Sequence, residues 1–247
     1  MKLEGKVAIV TGGGRDIGRG CATRLAAEGA SVAINYFTSS TGAEETVQDI
    51  TAAGGKAFAV QGDLNAQDGV NALVSKTVET FGTIDILVNN TGGLIARKKV
   101  AEMPLDHWQA VMDLNLTSVF LMTKACLAHM TSGAIVNIVS QAARDGGGPG
   151  AVAYAASKGA VMSMTRGLAK ELGPAIRVNG ICPGMIDTDF HNIFTKDEVR
   201  RNVEAATPMK RQGTPEDVAA LVAWLASDEA GFVTGANVDM NGGVLFS

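Results

Sequence analysis

The chain has 247 residues, 46% of them hydrophobic, and a formal net charge of -4 at pH 7. That length suffices for one large α/β domain over residues 1–247, and no Pro-rich or Gly/Ser linker divides it. The acidic balance argues against a nucleic-acid-binding protein, and the apolar run 218–226 is far shorter than the ~20 residues that span a bilayer. Because the start lacks the apolar core of a signal peptide, we expect a soluble, cytoplasmic protein with neither nucleic acid nor a membrane as partner.

The residues that most often bind metals are isolated along the chain. They are Cys21, Cys126, Cys182, His107, His129 and His191. None lies in a CxxC, HExxH or comparable spacing, so we expect buried, reduced thiols and no metal site.

Short apolar segments alternate with segments of helical periodicity from the first residues onward. The first, residues 7–10, is entirely apolar and β-branched or small, as in a strand buried on both faces of a parallel sheet. We predict strands at 7–10, 31–35, 56–61, 84–89, 134–140, 176–181 and 236–240. We predict helices at 19–28, 43–53, 67–80, 106–130 (one or two helices), 153–172 and 215–226. This βαβ alternation predicts an α/β fold with a doubly wound parallel sheet and helices on both faces.

A glycine-rich turn follows the first strand directly and opens the first helix. It reads Thr11-Gly12-Gly13-Gly14-Arg15-Asp16-Ile17-Gly18. Glycines at such a turn let backbone N–H groups approach a pyrophosphate, which the positive end of the helix stabilises. A merely flexible glycine loop is the alternative, but the position between a first strand and a first helix favours a nucleotide site.

The end of the second predicted strand carries no carboxylate. It reads Asn35-Tyr36-Phe37-Thr38-Ser39-Ser40, whereas sites that prefer NAD place an acidic residue there to bind the ribose 2′-hydroxyl. Arg15 offers a cation to a 2′-phosphate, with the hydroxyls of Thr38 or Ser39 as helpers, unless it is only a solvated surface residue. We therefore predict NADP(H) as the preferred cofactor, with NAD(H) possible.

A tyrosine and a lysine lie four residues apart on one predicted helix, at Tyr154 and Lys158, after Ser140 at the end of a predicted strand. An ordinary tyrosine has a pKa of about 10. Residues four apart share a helix face, so the ammonium is expected to lower the pKa of the phenol. Tyr154 would then donate and accept a proton near neutral pH.

Five motifs occur along the chain: the glycine turn, Asn89-Asn90-Thr91-Gly92, Ser140, Tyr154 with Lys158, and Pro183-Gly184 through Thr188. Their order and approximate spacing resemble those of the short-chain dehydrogenase/reductase family. The similarity is greatest to its bacterial 3-oxoacyl-acyl-carrier-protein reductases and extends over essentially the whole chain. The resemblance implies a Rossmann-like sheet of about seven strands. It also implies an NAD(P)-dependent oxidoreductase that reduces a ketone or other carbonyl to a secondary alcohol.

The resemblance implies roles for the catalytic residues. Ser140 and Tyr154 would contact the substrate carbonyl, and Lys158 would also bind the nicotinamide ribose. Asn115 would hold a water for proton relay, although it could instead cap or kink a helix. In the chemistry expected, Tyr154 protonates the alkoxide that forms as the carbonyl receives a hydride.

The resemblance also implies a set of cofactor contacts. The residues are Gly12, Gly14, Arg15, Asp16, Ile17, Gly18, Tyr36, Thr38, Ser39, Asp63, Leu64, Asn90, Thr91, Gly92, Tyr154, Lys158, Pro183, Gly184, Ile186 and Thr188. Within it, Asp63 would meet the adenine amino group and Thr188 the carboxamide, while Asn89 supports the adenosine side. Asp63 could equally close a turn, and Thr188 could be a helix N-cap.

Two residues depart from the family pattern. Asp16 replaces the middle glycine of the turn, and Thr91 replaces an alanine. A carboxylate within ~4 Å of a phosphate charge costs roughly 1 kcal/mol in water-like surroundings and about 4 kcal/mol at a protein-surface dielectric. We therefore expect the Asp16 side chain to turn away from the phosphates, capping the helix or pairing with Arg15 or Arg19. Aspartate also tolerates left-handed backbone angles.

The substrate is expected to contact residues 189–208 and the loop after Gly93. The basic run 97–99 could attract a carboxylate or an acidic carrier protein, or could be solvated. The compact turn 172–177 lacks the extra basic residue of the acyl reductases, which puts a carrier-bound substrate in doubt. The alternatives are a sugar, polyol or keto-uronate dehydrogenase/reductase using NAD(H), and a non-catalytic NADP(H)-binding redox sensor.

Only the family resemblance gives an expectation for the oligomeric state. The apolar segments 113–130 and 153–172 match the helices that form four-helix interfaces in family dimers and tetramers. Burial against the sheet is an equally valid local interpretation. We predict a homotetramer that acts on a small-molecule carbonyl or alcohol substrate.

Overall fold

A computed structural model describes residues 1–247 and contains one sheet of seven parallel strands. The strands are β1 (Val7–Val10), β2 (Ser31–Tyr36), β3 (Lys56–Gln61), β4 (Ile86–Asn89), β5 (Gly133–Ile138), β6 (Ile176–Pro183) and β7 (Asn237–Met240). Their order across the sheet is β3-β2-β1-β4-β5-β6-β7. The predicted α/β, Rossmann-like, doubly wound sheet is confirmed.

Helices cover both faces of this sheet. They are α1 (Asp16–Ala27), α2 (Ser40–Ala52), α3 (Gln67–Phe81), α4 (Leu105–Met112), α5 (Ser118–Leu127), α6 (Ala142–Asp145), α7 (Val152–Leu172), α8 (Asp189–Phe194), α9 (Asp197–Ala206) and α10 (Pro215–Ala226). One core contains side chains of α1, α2 and α10, and the other contains side chains of α3, α5 and α7. Ala8 and Val10 contribute to the first core and Ile9 to the second. Because neighbouring strand residues point to opposite faces, an entirely apolar strand serves both cores.

Several predicted elements have other bounds in the structure. Helix α1 begins at Asp16 rather than at residue 19, since the glycine turn itself leads into the helix. Helix α2 begins at Ser40 rather than at 43, β4 begins at Ile86 rather than at 84, and β5 ends at Ile138 rather than at 140. The stretch 106–130, predicted as one or two helices, is two helices joined by a π-helical turn at Asp113–Thr117. Helices α6, α8 and α9 were not predicted. None of the three contains a buried residue. Helices α6 and α8 are also shorter than the windows in which helical periodicity can be recognised. In α9, Val199 and Val203 have helical spacing, but neither is part of the core.

The stretch Leu105–Leu127 is long and apolar enough to cross a membrane by length and composition alone. It folds onto the sheet, where Met122 and Cys126 are completely buried in the core. A core helix of this kind passes the same composition test.

Candidate active site

Buried polar side chains connect the glycine turn after β1 to the ends of β2 and β4 by hydrogen bonds. Thr11 Oγ1 accepts hydrogen bonds from the backbone N–H groups of Asn90 and Thr91, each at 2.9 Å. Asn35 Oδ1 accepts from Gly12 N at 3.4 Å, and Asn35 Nδ2 donates to Gly62 O at 3.0 Å. Thr11 and Asn35 were not among the predicted site residues. The sequence feature that could have identified them is a polar residue at the end of an apolar strand. Such a residue is buried with the strand, so its polar atoms need hydrogen-bond partners.

Gly18 allows the turn to close on itself. A Cβ atom at this position would lie 2.1 Å from Gly12 O, a separation that real Cβ atoms do not show. At Gly12 a Cβ would lie 3.1 Å from both Asn90 Nδ2 and Thr91 Oγ1. The buried Thr91 hydroxyl oxygen has no hydrogen-bond partner within the chain. This close-set, glycine-lined turn at the N-terminus of α1 fits the pyrophosphate of a dinucleotide.

Asp16 adopts a left-handed backbone conformation, with φ +50°. Its side chain does not cap α1: Asp16 Oδ1 accepts a hydrogen bond from Asp189 N at 3.2 Å. Arg15 Nε lies 3.9 Å from Asp16 Oδ2, whereas Arg19 pairs with Glu45 and Asp49. Burial raises the pKa of Asp16, and its bond to the Asp189 N–H partly opposes that rise.

Strand β5 and helix α7 bring the predicted catalytic side chains together. Ser140 follows β5, and Tyr154 and Lys158 lie one turn apart in α7. Lys158 is only 3% exposed, and its Nζ donates to Ile138 O at 2.8 Å. The same Nζ lies 6.0 Å from the centre of the Tyr154 ring. Burial lowers the pKa of Lys158 to about 8.

The pKa of Tyr154 moves in the direction opposite to the one expected from the sequence. Burial raises it, and the nearby Ser140 hydroxyl offsets part of the rise. The physical reason is that the lysine ammonium is directed to Ile138 O and does not hydrogen-bond the phenol oxygen. A phenol with a raised pKa stays protonated at neutral pH, which suits a proton donor.

Asn115 is completely buried in the π-helical turn. Its Oδ1 accepts from Gly93 N at 2.9 Å, and its Nδ2 donates to Gly93 O at 2.8 Å and to Val111 O at 2.9 Å. Both amide N–H groups are thus used within the chain. The alternative in which Asn115 shapes a distorted helix agrees with this geometry, and a relay water on Asn115 stays a prediction.

Gly92 lies between Asn115 and the predicted catalytic residue Lys158. A Cβ at Gly92 would be 2.7 Å from Asn115 Oδ1 and 2.9 Å from Lys158 Nζ. A side chain at Gly92 would therefore contact both groups.

The remaining predicted cofactor residues lie at the same edge of the sheet, where the strands end. Thr188 is at the N-cap position of α8, and its hydroxyl donates to Ile186 O at 3.1 Å. Asp63 accepts from Asn65 N at 2.9 Å and so closes a turn, while Leu64 is buried in the core. Their contacts with a cofactor stay predictions.

The turn after β2 meets the glycine turn. A Cβ at Gly14 would lie 3.0 Å from Ser39 O and 3.1 Å from Ala43 N, so the start of α2 packs against the glycine turn. The contacts of Thr38 and Ser39 with a cofactor stay predictions. Tyr36, at the end of β2, packs against the core that contains α1. Pro183 ends β6, and Gly184 N donates to Met240 O at 3.0 Å, which joins this segment to β7.

Aromatic side chains of α8 form the wall beside Tyr154. The ring centres of Phe190 and Tyr154 are 5.8 Å apart, and those of Phe190 and Phe194 are 5.2 Å apart. Burial lowers the pKa of His191, on the same helix, to about 4, so this imidazole is neutral at pH 7. In the basic run 97–99, Arg97 Nε and Nη1 donate to the carbonyl oxygens of Phe194 and Pro149, each at 3.0 Å.

A cavity of about 430 Å³ lies between Met185, Met209 and residues 239–247, and the predicted cofactor residue Ile186 is part of its lining. The contact of Ile186 with a cofactor stays a prediction. The cavity contains none of the predicted catalytic side chains. No group of three or more His, Cys, Asp or Glu side chains is arranged to hold a metal ion.

A protein-family model described as enoyl-(acyl carrier protein) reductase matches residues 12–245. Glucose 1-dehydrogenase 2 of Bacillus subtilis is 42% identical to the chain, over 98% of this chain and 95% of that protein. A 3-oxoacyl-[acyl-carrier-protein] reductase of Synechocystis sp. is 40% identical, over 98% of this chain and 98% of that protein.

Solved structures reproduce the fold over nearly the whole chain. A blue fluorescent protein from a metagenomic library, in complex with NADPH, has a TM-score of 0.93 at 37% identity and covers 100% of both chains. A 7α-hydroxysteroid dehydrogenase complexed with NADH and 7-oxo glycochenodeoxycholic acid has a TM-score of 0.93 at 34% identity, over 98% of this chain and 95% of that one. With the glycine turn, the Tyr154–Lys158 pair and Ser140 at one edge of the sheet, the chain belongs to the short-chain dehydrogenase/reductase family of NAD(P)-dependent oxidoreductases.

Proposed function

We propose that the protein is an NADPH-dependent carbonyl reductase that converts a ketone to a secondary alcohol. The observation that carries the proposal is the position of Tyr154. Its half-buried phenol, whose pKa burial raises, lies between Ser140 and an aromatic wall at the edge of the sheet where the glycine turn is found. A protonated phenol at this place is a general acid for an oxygen that gains negative charge.

When bound, the nicotinamide supplies the hydride. The chain's own residues handle the oxygen and the proton. Tyr154 Oη donates its proton to the carbonyl oxygen as negative charge forms there, and Ser140 Oγ donates a hydrogen bond to the same oxygen. Lys158, next to Gly92, holds the cofactor ribose and returns a proton towards Tyr154. In the oxidative direction, Tyr154 accepts the proton instead.

The test is turnover. In one arm, wild-type protein is mixed with NADPH and a panel of β-keto esters, diketones and keto-uronates, and the loss of NADPH absorbance is followed. In the other arm, it is mixed with NADP⁺ or NAD⁺ and a set of sugars and polyols, and the gain of reduced-cofactor absorbance is followed. NADP(H) binding is measured in parallel. We expect reduction of at least one carbonyl. Binding of NADPH with no turnover across the panel, in either direction, would support the non-catalytic redox sensor instead.

The alternative function, a sugar or polyol dehydrogenase that uses NAD(H), is supported by the 42% identity to glucose 1-dehydrogenase 2. The 3-oxoacyl-type substrate is supported by the 40% identity to the Synechocystis reductase. The aromatic wall of Phe190 and Phe194 favours a carbonyl with an apolar substituent over a free sugar. In the panel, preferential oxidation of glucose with NAD would reverse this choice.

The preference for NADPH rests on Arg15, which is exposed and follows Gly14, the residue of the glycine turn that packs against Ser39 O. Its weak pairs with Asp16 and Asp189, at 3.9 and 3.8 Å, leave it free to turn to a 2′-phosphate. We expect Arg15→Ala to weaken NADPH binding roughly 10- to 100-fold, the value of a charge-assisted hydrogen bond. NADH binding should change much less. Dissociation constants from fluorescence titration test this, and an equal effect on both cofactors would contradict it.

We infer a cytoplasmic homotetramer, in which part of α5 and α7 is covered by neighbouring copies. Phe120 in α5 is 50% exposed and Val152 in α7 is 46% exposed. These exposed apolar side chains are compatible with an interface, and the inference itself comes from the family resemblance of the two helices. Light scattering at micromolar concentration distinguishes this assembly from a monomer.

A further inference from the structure

Helix α8 holds the aromatic side chain that packs on Tyr154, yet burial does not anchor it. The helix has six residues, and none of them is buried in the core. Phe190, its second residue, has its ring centre 5.8 Å from that of Tyr154. A short helix with no residue in the core needs other contacts to keep such a position.

The first of these contacts comes from Asp16. Its Oδ1 accepts a hydrogen bond from the backbone N–H of Asp189, the first residue of α8, across 173 positions of sequence. The left-handed backbone of Asp16 directs the carboxylate out of the glycine turn. Glycine, which stands here in the family pattern, has no side chain to make this bond.

The second contact is at the other end of the helix. Arg97 Nε donates to the carbonyl oxygen of Phe194, the last residue of α8, at 3.0 Å. Arg97 Nη1 donates to Pro149 O at 3.0 Å, in the loop between Ser140 and Tyr154. One guanidinium therefore joins α8 to the loop that leads into the catalytic helix. In the basic run, Arg97 thus uses Nε and Nη1 in two main-chain bonds, and attraction of a carboxylate or carrier protein stays a prediction.

We propose that Asp16 and Arg97 are positioning residues that hold α8 by its two ends and thereby keep Phe190 against Tyr154. The inference rests on the proposed function in one respect, that Tyr154 is the phenol facing the substrate carbonyl. The chemical consequence is selectivity. A carbonyl with a bulky apolar substituent needs the aromatic wall in place, whereas a small hydrophilic ketone makes little use of it.

Hydrogen exchange on the cofactor-free protein tests the anchoring without any assumption about turnover. The variants are Asp16→Gly, which suits the positive φ, Asp16→Asn, which keeps an acceptor oxygen, Arg97→Ala, and the control Lys99→Ala. Lys99 is an exposed cation in the same loop without a side-chain hydrogen bond. The readout is the exchange rate of a peptide covering residues 187–196.

We expect exchange in this peptide to accelerate about 10-fold in Asp16→Gly and in Arg97→Ala, the effect of losing one charge-assisted hydrogen bond. Asp16→Asn keeps an acceptor oxygen but loses its charge, so exchange should accelerate less than in Asp16→Gly. Lys99→Ala should exchange like wild type, and a peptide from β6 should be unchanged in all four. Wild-type rates in both Asp16→Gly and Arg97→Ala would overturn the proposal, as would equal acceleration in the β6 peptide.

Kinetics at saturating NADPH test the substrate side. For a bulky β-keto ester that the wild type reduces, we expect Arg97→Ala to raise KM about 5- to 10-fold with kcat within about twofold, and Lys99→Ala to leave both unchanged. For a small hydrophilic ketone, KM should hardly change. Faster exchange with an unchanged KM for the bulky ester would overturn the role in selectivity. Absence of any wild-type turnover would refute the proposed function, while the exchange result still decides the anchoring.

Discussion

Replacing Tyr154 by phenylalanine is expected to reduce turnover by about 10²- to 10⁴-fold, the usual contribution of a general acid. Phenylalanine keeps the ring that packs 5.8 Å from Phe190 and removes only the hydroxyl. The loss of turnover would therefore measure the contribution of the phenol as proton donor, because the shape of the site is kept. The measurement is kcat for the best carbonyl of the panel, followed as NADPH consumption.

Two controls accompany the Tyr154→Phe variant. The NADPH dissociation constant is expected to stay within a few-fold of wild type, because the phenol oxygen is not needed to hold the glycine turn. Ser140→Ala should lose less activity than Tyr154→Phe, since it removes a hydrogen bond and not the proton donor. Turnover that survives the removal of the phenol would show that another group protonates the product.

Replacing Gly18 by alanine is expected to remove most cofactor binding and to destabilise the fold. The new Cβ would lie 2.1 Å from the backbone oxygen of Gly12, so the turn itself must move. Overpacking of this kind costs typically about 1–3 kcal/mol of unfolding free energy. A displaced turn also moves the N–H groups that would face a pyrophosphate. We expect NADPH affinity to fall by about 10-fold or more, one decade for each ~1.4 kcal/mol of lost binding energy.

Gly167→Ala is the matched control for Gly18→Ala. Gly167 is also inside a helix, α7, but nothing lies within 4 Å of a Cβ placed there. Alanine is the better helix former by up to about 1 kcal/mol, so this variant should be as stable as wild type or more stable. Urea denaturation and NADPH titration compare the two. Equal behaviour of both variants would mean that the turn tolerates a side chain at Gly18.

The buried strands were the most predictable part of the fold. Val7–Val10 is apolar at every position because both faces of the sheet are covered by helices. A short, continuous apolar run of this kind therefore indicates a buried parallel strand. Helices α8 and α9 were not predicted, although Phe190 and Phe194 in α8 and Val199 and Val203 in α9 are apolar at helical spacing. Both helices are short and none of their residues is buried, so this spacing was not recognised in the sequence. Helix α8 is held by hydrogen bonds with distant segments, at Asp16 and Arg97.

The sequence was enough to predict which side chains lie together in the candidate site. It was not enough to predict the direction in which the pKa of Tyr154 is shifted. Tyr154 and Lys158 are four positions apart, and that spacing alone places them on one face of α7. The direction of the tyrosine pKa shift could not be obtained in this way. It depends on the burial of the phenol and on Ile138 O, which holds the lysine ammonium.

By itself, the sequence determined the alternation of strands and helices, the parallel sheet, the family and the residues that gather where the strands end. The strands and helices follow from the periodicity of neighbouring residues. The family and the site residues follow from the order of the motifs along the chain. Only the tertiary structure decided that the carboxylate of Asp16 reaches the first residue of α8 and that Arg97 holds the last one. The same is true of Asn115, whose side chain is bound within the chain at Gly93. Such contacts join segments far apart in the chain, and only the packing of the whole sheet brings them within hydrogen-bond distance.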